Sequence, residues 1–202
     1  MSPLIAIDGP AGSGKSSVSA AIARTLGIDR LDTGAMYRAV AWLALRAGID
    51  PGAAGEVTAL AALADISVGQ RVTADGHDVT DAIRSPAVGE AVSLVAAVPG
   101  VRQALVARQR AWASDRGGDV VVEGRDIGTV VFPDADLKVF LTASVEERVR
   151  RREEEGATAL ERRDRLDSTR TVAPLSAAPD ARVVDTTHRT VAEVVEVILS
   201  WL

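Results

Sequence analysis

Short apolar runs and amphipathic stretches alternate along this chain. Runs suited to buried strands fall at residues 4–7, 120–122, 137–141 and 182–184, and helical patterns are predicted over 14–26, 34–47, 86–97, 101–114, 145–154 and 191–201. Such an alternation reads as an α/β protein of three layers, with a parallel core sheet covered on both faces. Two helix starts carry the spacing of a capping box, Ser144-x-x-Glu147 and Thr190-x-x-Glu193, and Gly27 and Gly48 stand where C-terminal caps belong. Between about 64 and 84 the pattern changes to short β-like pieces at 66–68, 71–73 and 77–79, with a turn at Asp75-Gly76. That stretch predicts a small antiparallel insertion on the main sheet.

Composition narrows the classes of function. With 202 residues and 47% hydrophobic content the chain is long enough to bury one substantial core, and a single domain over 1–202 is expected. A net charge of −5 argues against nucleic-acid and membrane-surface partners, so an anionic ligand must be held by local arginine clusters. There is no cysteine, and His77 and His188 are the only imidazoles, which removes disulfides, thiolate zinc sites and a cysteine nucleophile. The apolar stretches are short and interrupted by charge, and a strand pattern begins at the fourth residue without a basic-then-apolar leader. A soluble, cytoplasmic monomer is expected.

The first predicted strand runs into Gly9, Pro10, Ala11, Gly12, Ser13, Gly14, Lys15 and Ser16, with Ser17 behind them, completing Gly-x-x-x-x-Gly-Lys-Ser. A strand that ends in a glycine-rich turn and feeds a helix points successive N–H groups inward, and the helix dipole adds partial positive charge there. Lys15 then reaches the β- and γ-phosphates of a nucleoside triphosphate, and the Ser16 hydroxyl is a ligand for Mg²⁺. A glycine-rich turn without a ligand is the bland alternative, but strand, spacing, lysine, hydroxyl and following helix all favour a phosphate site. The chain has only two lysines, Lys15 and Lys138, against 21 arginines. A lysine kept inside the loop is telling, because a compact ammonium threads between phosphates where a rigid guanidinium does not.

A phosphate loop alone does not separate switches, motors and kinases. A guanine-reading Asn-Lys-x-Asp segment cannot exist with lysines only at 15 and 138. The strand ending in Glu123 could supply the carboxylate of a motor ATPase, yet Gly124-Arg125-Asp126 after it is better suited to a charged small molecule. Phosphoryl transfer asks mainly for in-line positioning and positive charge on the equatorial oxygens. A phosphate-bearing acceptor needs further cations, and Arg38, Arg125, Arg163 and Arg170 are available. From 148 to 170 the chain carries Arg148, Arg150, Arg151, Arg152, Arg162, Arg163, Arg165 and Arg170. A solvated face is the ordinary reading of such a run, and an arm over phosphates is the reading in a phosphate-loop protein.

Five segments, in order over nearly the whole chain, carry a family resemblance. They are 7–15 (Ile-Asp-Gly-Pro-Ala-Gly-Ser-Gly-Lys), 31–38 (Leu-Asp-Thr-Gly-Ala-Met-Tyr-Arg), 93–110, 123–133 (Glu-Gly-Arg-Asp-Ile-Gly-Thr-Val-Val-Phe-Pro), and 163–170 (Arg-Asp-Arg-Leu-Asp-Ser-Thr-Arg) leading into Ala-Pro-Leu at 173–175. In these the chain resembles the bacterial cytidylate kinases, phosphate-loop kinases that move phosphate from ATP to CMP or dCMP with Mg²⁺. The resemblance implies Lys15, Arg125, Arg163 and Arg170 as catalytic cations, Arg148 near the adenine and Arg152 near the donor phosphates. On the acceptor side it implies Thr33, Arg38, Arg125 and Arg170 around the phosphate, and Arg163 near that group or the transferred phosphoryl. Asp126 is implied as acceptor for the cytosine amino group, Ser93 and Arg102 as further base contacts, and Asp167 as the ribose ligand. Physical alternatives stay open at several of these: Thr33 as a helix cap, Ser93 and Arg102 as polar residues on a helix face, and Asp8 as either a water-mediated Mg²⁺ contact or a support for its loop.

One departure stands out: the stretch 153–161 is shorter than the helical arm that forms the lid in most relatives. A smaller lid, over about 153–170, is expected, with weaker water exclusion and some ATP hydrolysis without acceptor.

Overall fold

The computed structural model describes residues 3–151, 165–166 and 175–202. Strand β1 (Ile5–Asp8), buried along its whole length, lies at the centre of a five-stranded sheet. It sits between β6 (Val120–Gly124) and β7 (Leu137–Thr142), with β2 (Asp29–Asp32) beyond β6 and β8 (Arg182–Asp185) beyond β7. β1 pairs in parallel with both neighbours, and β7 with β8. The register sets Asp8 opposite Gly124 on one side and Phe140 on the other, so the chain leaves β1 and β6 at the same edge. Ligands of open parallel sheets gather at that edge.

Helices α1 (Lys15–Leu26) and α7 (Val191–Leu199) close the sheet's apolar face. Val18 and Ile22 from one, and Val194 and Ile198 from the other, share a core with Ile5, Ile7, Val139 and Leu141. Thr190 caps α7 with a full capping box, its side chain accepting from the Glu193 N–H while Glu193 accepts from the Thr190 N–H. Gly27, at φ 68°, ends α1 in the left-handed conformation that glycine adopts without strain. The Ser144 box is only half formed. Its hydroxyl accepts from the Glu147 N–H at 3.2 Å, but its own N–H donates to the Thr187 hydroxyl, and the Glu147 carboxylate is taken by two arginines.

The chain's contacts group it into two units, residues 1–31 with 112–202, and residues 32–111. The first holds the five-stranded sheet apart from the last residue of β2. The second contains α2 (Thr33–Arg46), α3 (Ala54–Leu63), α4 (Pro86–Ala97) and most of α5 (Pro99–Ser114). It also contains a three-stranded antiparallel sheet of β3 (Ile66–Val68), β4 (Val72–Ala74) and β5 (His77–Asp78), in the stretch where the pattern predicts it. Asp75 and Gly76, both at positive φ, form the β4–β5 turn. Ala35, Ala39 and Leu43 of α2 pack with Ala74, Val79 and Ile83 in this unit's core. Arg108 of α5 donates to the carbonyls of Ala62 and Ala64, closing the end of α3.

The expected parallel sheet and its helices are present, and β2 and α3 lie outside the predicted runs. β2 is an edge strand of sequence Asp-Arg-Leu-Asp with Leu31 as its one buried apolar residue, so no run of hydrophobics marks it. α3 is apolar nearly all round, buries only Val57 and Ala61, and leaves Leu63 exposed, so it shows no helical stripe. α5 starts at Pro99, two residues before the predicted position, because proline's fixed φ suits the first helical turn. Among the described residues no single helix is long and apolar enough to cross a membrane. Replacement of Thr190 by Ala should lower the unfolding free energy by about 1 kcal/mol, because the Glu193 N–H loses its partner; urea denaturation at unchanged slope measures it.

Candidate functional site

Residues 9–14 leave β1 and turn into α1, and their shape follows from three glycines at positive φ: Gly9 (149°), Gly12 (77°) and Gly14 (89°). A Cβ at Gly9 would run into the Leu141 carbonyl, and one at Gly12 would stand 2.8 Å from the Arg148 carbonyl oxygen. The loop is therefore pressed against β7 and against α6 (Val145–Arg150), and side chains at those two positions would push it away. Lys15, the first residue of α1, folds back so that Nζ donates to the Pro10 carbonyl at 2.7 Å. Arg125, after β6, donates to the Gly9 carbonyl at 2.5 Å. Arg148 donates to Ala11 O at 3.2 Å, and Arg151 to Gly12 O at 3.4 Å. Ser13 is fully buried, and its hydroxyl has no hydrogen-bond partner. A buried orphan of this kind at a helix N-terminus suits a ligand that brings acceptor oxygens.

The Ser16 hydroxyl lies 3.0 Å from the buried Glu123 carboxylate, which also accepts from Ser19 at 3.1 Å and faces Arg30 at 3.6 Å. A hydroxyl beside a carboxylate offers hard oxygen ligands of the kind a small divalent cation takes. Among the described residues there is no cluster of three or more His, Cys, Asp or Glu able to hold a metal by itself. A cation here must draw most of its ligands from phosphate and water, as Mg²⁺ does. The donor set fits that ion.

Asp8 ends β1, and its two carboxylate oxygens accept from the N–H groups of Ile127 and Gly128 at 2.8 and 2.7 Å. These hydrogen bonds support the turn after β6, not the loop that follows Asp8 itself. Asp8 anchors the start of a single π-helical turn, Ile127–Val131, that follows the buried Asp126. Arg125 and Asp126 are thereby set on a backbone fixed from both sides.

The other expected acceptor residues lie in the second unit. Thr33 is the first residue of α2 and is buried, while the helix is capped by Asp32, which accepts from the Ala35 N–H at 3.1 Å. The cap alternative for Thr33 therefore falls away. One turn on, Arg38 donates to the Ile83 carbonyl at 3.2 Å. Ser93 on α4 and Arg102 on α5 are both buried, with the Arg102 guanidinium 5.8 Å from the Tyr37 ring centre. They are not polar residues on a solvent face.

Arg152, Arg163, Asp167, Arg170 and the short stretch 153–161 lie outside the described residues. Arg165 is described and exposed. One side chain missing from the expected donor set has a clear position at the loop. Arg151 reaches the loop while its Nε donates to Glu147 at 2.8 Å, and Glu147 also takes a forked pair from Arg150 at 2.7 and 2.9 Å. Those hydrogen bonds from Arg150, with the charge of Arg151, pull the Glu147 carboxyl down to about 2. The Glu147 to Arg151 spacing of i, i+4 was the available signal.

The chain matches the cytidylate kinase family over residues 5–202. It is 50% identical to a cytidylate kinase of Pelotomaculum thermopropionicum, with 98% of this chain and 95% of the relative covered, and 51% identical to one of Mycobacterium avium, covering 96% and 92%. It is 54% identical to a bifunctional pantoate ligase/cytidylate kinase of Synechococcus sp. strain JA-3-3Ab over 98% of its own length, but spans only 40% of that relative. That alignment runs over 217 positions, so the relative has residues without counterpart in a chain of 202. Among solved structures, a gluconokinase from Sinorhizobium meliloti 1021 (17% identity, TM-score 0.50, 98% and 90% covered) and a sugar kinase from Janibacter sp. HTCC2649 (13%, 0.50, 100% and 94%) share the fold.

The surroundings of Asp8 predict a dependence on pH. Burial pushes its carboxyl up to about 6, against the pull of the Gly128 and Ile127 N–H groups, and nearby Asp126 adds to the rise. A raised carboxyl means that the folded chain holds a proton that the unfolded chain has already lost between about pH 4 and 6. This group's contribution to stability therefore falls as pH rises through that window and is level above it. Relative to the Asp8→Asn variant, wild type should lose about 2 kcal/mol of unfolding free energy between pH 4.5 and 7. Urea titrations at the two values measure it, and a constant difference between the proteins would exclude the assignment.

Proposed function

From the chain's membership of the cytidylate kinase family, we propose that it transfers the γ-phosphoryl group of ATP to CMP or dCMP with Mg²⁺, acting as a cytoplasmic monomer. The observation that carries this reading is the loop 9–16, with Lys15 and Ser16 at the start of α1, beside a neighbouring strand that delivers Arg125 and Asp126. The loop's N–H groups and the α1 dipole hold the donor phosphates, and Lys15 exchanges its bond to Pro10 for the β- and γ-oxygens. Bound through Ser16, Mg²⁺ supplies charge neutralisation to the β- and γ-phosphates.

On the acceptor side the family pattern assigns the phosphate to Thr33, Arg38, Arg125 and Arg170, with Arg163 near the transferred group, and the ribose to Asp167. Cytosine differs from uracil in presenting an amino donor, and an ionised carboxylate such as Asp126 accepts from it. Arg102 suits the carbonyl and ring nitrogen that accept, and Ser93 completes the base contacts. Arg148 belongs with the adenine and Arg152 with the donor phosphates. No general base is required, because the attacking phosphate oxygen is already anionic at neutral pH. Transfer is in line and direct, with the arginines offsetting repulsion between acceptor and donor. Residues 1–202 form one kinase domain on this reading, with a monophosphate-binding insertion at about 64–84 and a short lid at about 153–170.

A coupled assay of ADP formation with Mg-ATP and, separately, CMP, dCMP, UMP, AMP, shikimate and no acceptor tests the proposal. Turnover with CMP and dCMP well above the acceptor-free rate is expected; turnover confined to another acceptor, or none, overturns it. Lys15→Ala should remove turnover, by a factor of about 10³ or more, while the circular dichroism spectrum and melting point hold. Asp126→Asn should reduce CMP turnover by about 10-fold to 100-fold while ATP affinity changes by less than about twofold, since it removes one charged hydrogen bond to the base.

A further inference from the structure

A peptide group points its N–H and its C=O in opposite directions, so a loop whose N–H groups face a phosphate must turn its carbonyls outward. In this chain five consecutive loop carbonyls each accept from a side chain: Gly9 from Arg125, Pro10 from Lys15, Ala11 from Arg148, Gly12 from Arg151 and Ser13 from Thr186. Three of these donors have roles in the reading above. Arg151 and Thr186 have none, and they meet each other. The Thr186 hydroxyl accepts from Arg151 Nη1 at 2.9 Å, and Arg151 Nη2 donates to the Thr186 carbonyl at 2.7 Å.

We propose that Thr186 and Arg151 are positioning residues for the phosphate loop, holding the carbonyls of Ser13 and Gly12 outward so that the N–H groups of that stretch stay turned toward the triphosphate. The inference rests on the reading of the loop as the ATP site. Thr186 is 2% exposed and is fixed by its backbone, whose N–H donates to Thr142 O at 2.8 Å and so continues the β7–β8 ladder by one residue. Its one hydroxyl proton serves Ser13 O and Thr142 O, both at 3.1 Å, which ties the loop to the end of β7. Arg151 is set by Glu147, whose own N–H is held by the cap residue Ser144. The line of contacts runs from the start of α6 through Glu147 and Arg151 to the loop. A guanidinium is needed for it, because Nε, Nη1 and Nη2 engage four different acceptor atoms in one plane-like fork.

The test compares Thr186→Val, Thr186→Ser and Arg151→Lys with wild type, by calorimetric titration with ATP in the absence of acceptor and by steady-state KM and kcat for each substrate. Val keeps the shape and loses the hydroxyl, both its donation to Ser13 O and its acceptance from Arg151, so the dissociation constant and KM for ATP should rise about 10-fold. Ser should restore ATP binding to within about twofold of wild type, and Lys should weaken it by about 10-fold or more. KM for CMP should not move in any of them. Unchanged ATP binding in Thr186→Val, or in Arg151→Lys where the valine protein does not fold, overturns the inference. So does a rise of both substrates' KM in step with a lower melting point, which marks a structural role. If wild type binds ATP but leaves CMP unphosphorylated, the kinase reading fails while the titrations still decide the positioning role.

Discussion

The geometry of the phosphate loop depends on what is done with its carbonyls. Five peptide oxygens in a row, from Gly9 to Ser13, each meet a side-chain donor. The glycines permit the loop's conformation, but they do not select it, since a glycine-rich segment has more freedom than any other. Selection comes from donors carried on β6, α1, α6 and the residue after β8. A buried carbonyl without a partner is unfavourable by roughly 1–3 kcal/mol, so together these bonds favour one arrangement of the loop over its alternatives.

Those donors can converge because the sheet is parallel about β1. The register that sets Asp8 opposite Gly124 and Phe140 delivers the residues after β1 and β6 to one edge, and β7 leads to α6 from that same edge. Two buried carboxylates secure the junctions. Asp8 reaches from β1 to the backbone after Asp126, and Glu123 reaches from β6 to Ser16 and Ser19 at the start of α1. Each works through fixed hydrogen bonds. Asp8 nonetheless carries the burden of burial, which is why its carboxyl is held near 6.

How far a residue could be read from the chain depended on whether its partners are local. Strands β1, β6 and β7 and helices α1 and α7 were legible because their apolar residues are themselves the cause of their burial, whereas β8, though its apolar run was read, buries only Val184. The Thr190 box formed as spaced, because all its partners lie within four residues. The Ser144 box formed by half, because Arg150 and Arg151 outbid the helix N-terminus for Glu147, and oppositely charged partners bind a carboxylate more strongly than a neutral N–H does. β2 and α3 were missed, one for lack of apolar residues and the other for an excess of them.

The sequence by itself determined the chemistry of the site. The order strand, glycine-rich turn, lysine, serine and helix admits few functions, and the arginine and aspartate motifs narrow them to a family. These signals are legible because they are contiguous, and the groups proposed to bind phosphate are mostly backbone atoms whose arrangement follows from a short local pattern. Only the tertiary structure decided how that pattern is held. Arg151 and Thr186 are remote from the loop in sequence, and nothing in the residues around them announces the carbonyls of Gly12 and Ser13 as their partners. The same holds for Asp8, whose hydrogen-bond partners are two N–H groups some 120 residues further along the chain. Long-range hydrogen bonds leave no periodic trace in a sequence, since they depend on strand order and register, which the hydrophobic pattern does not encode.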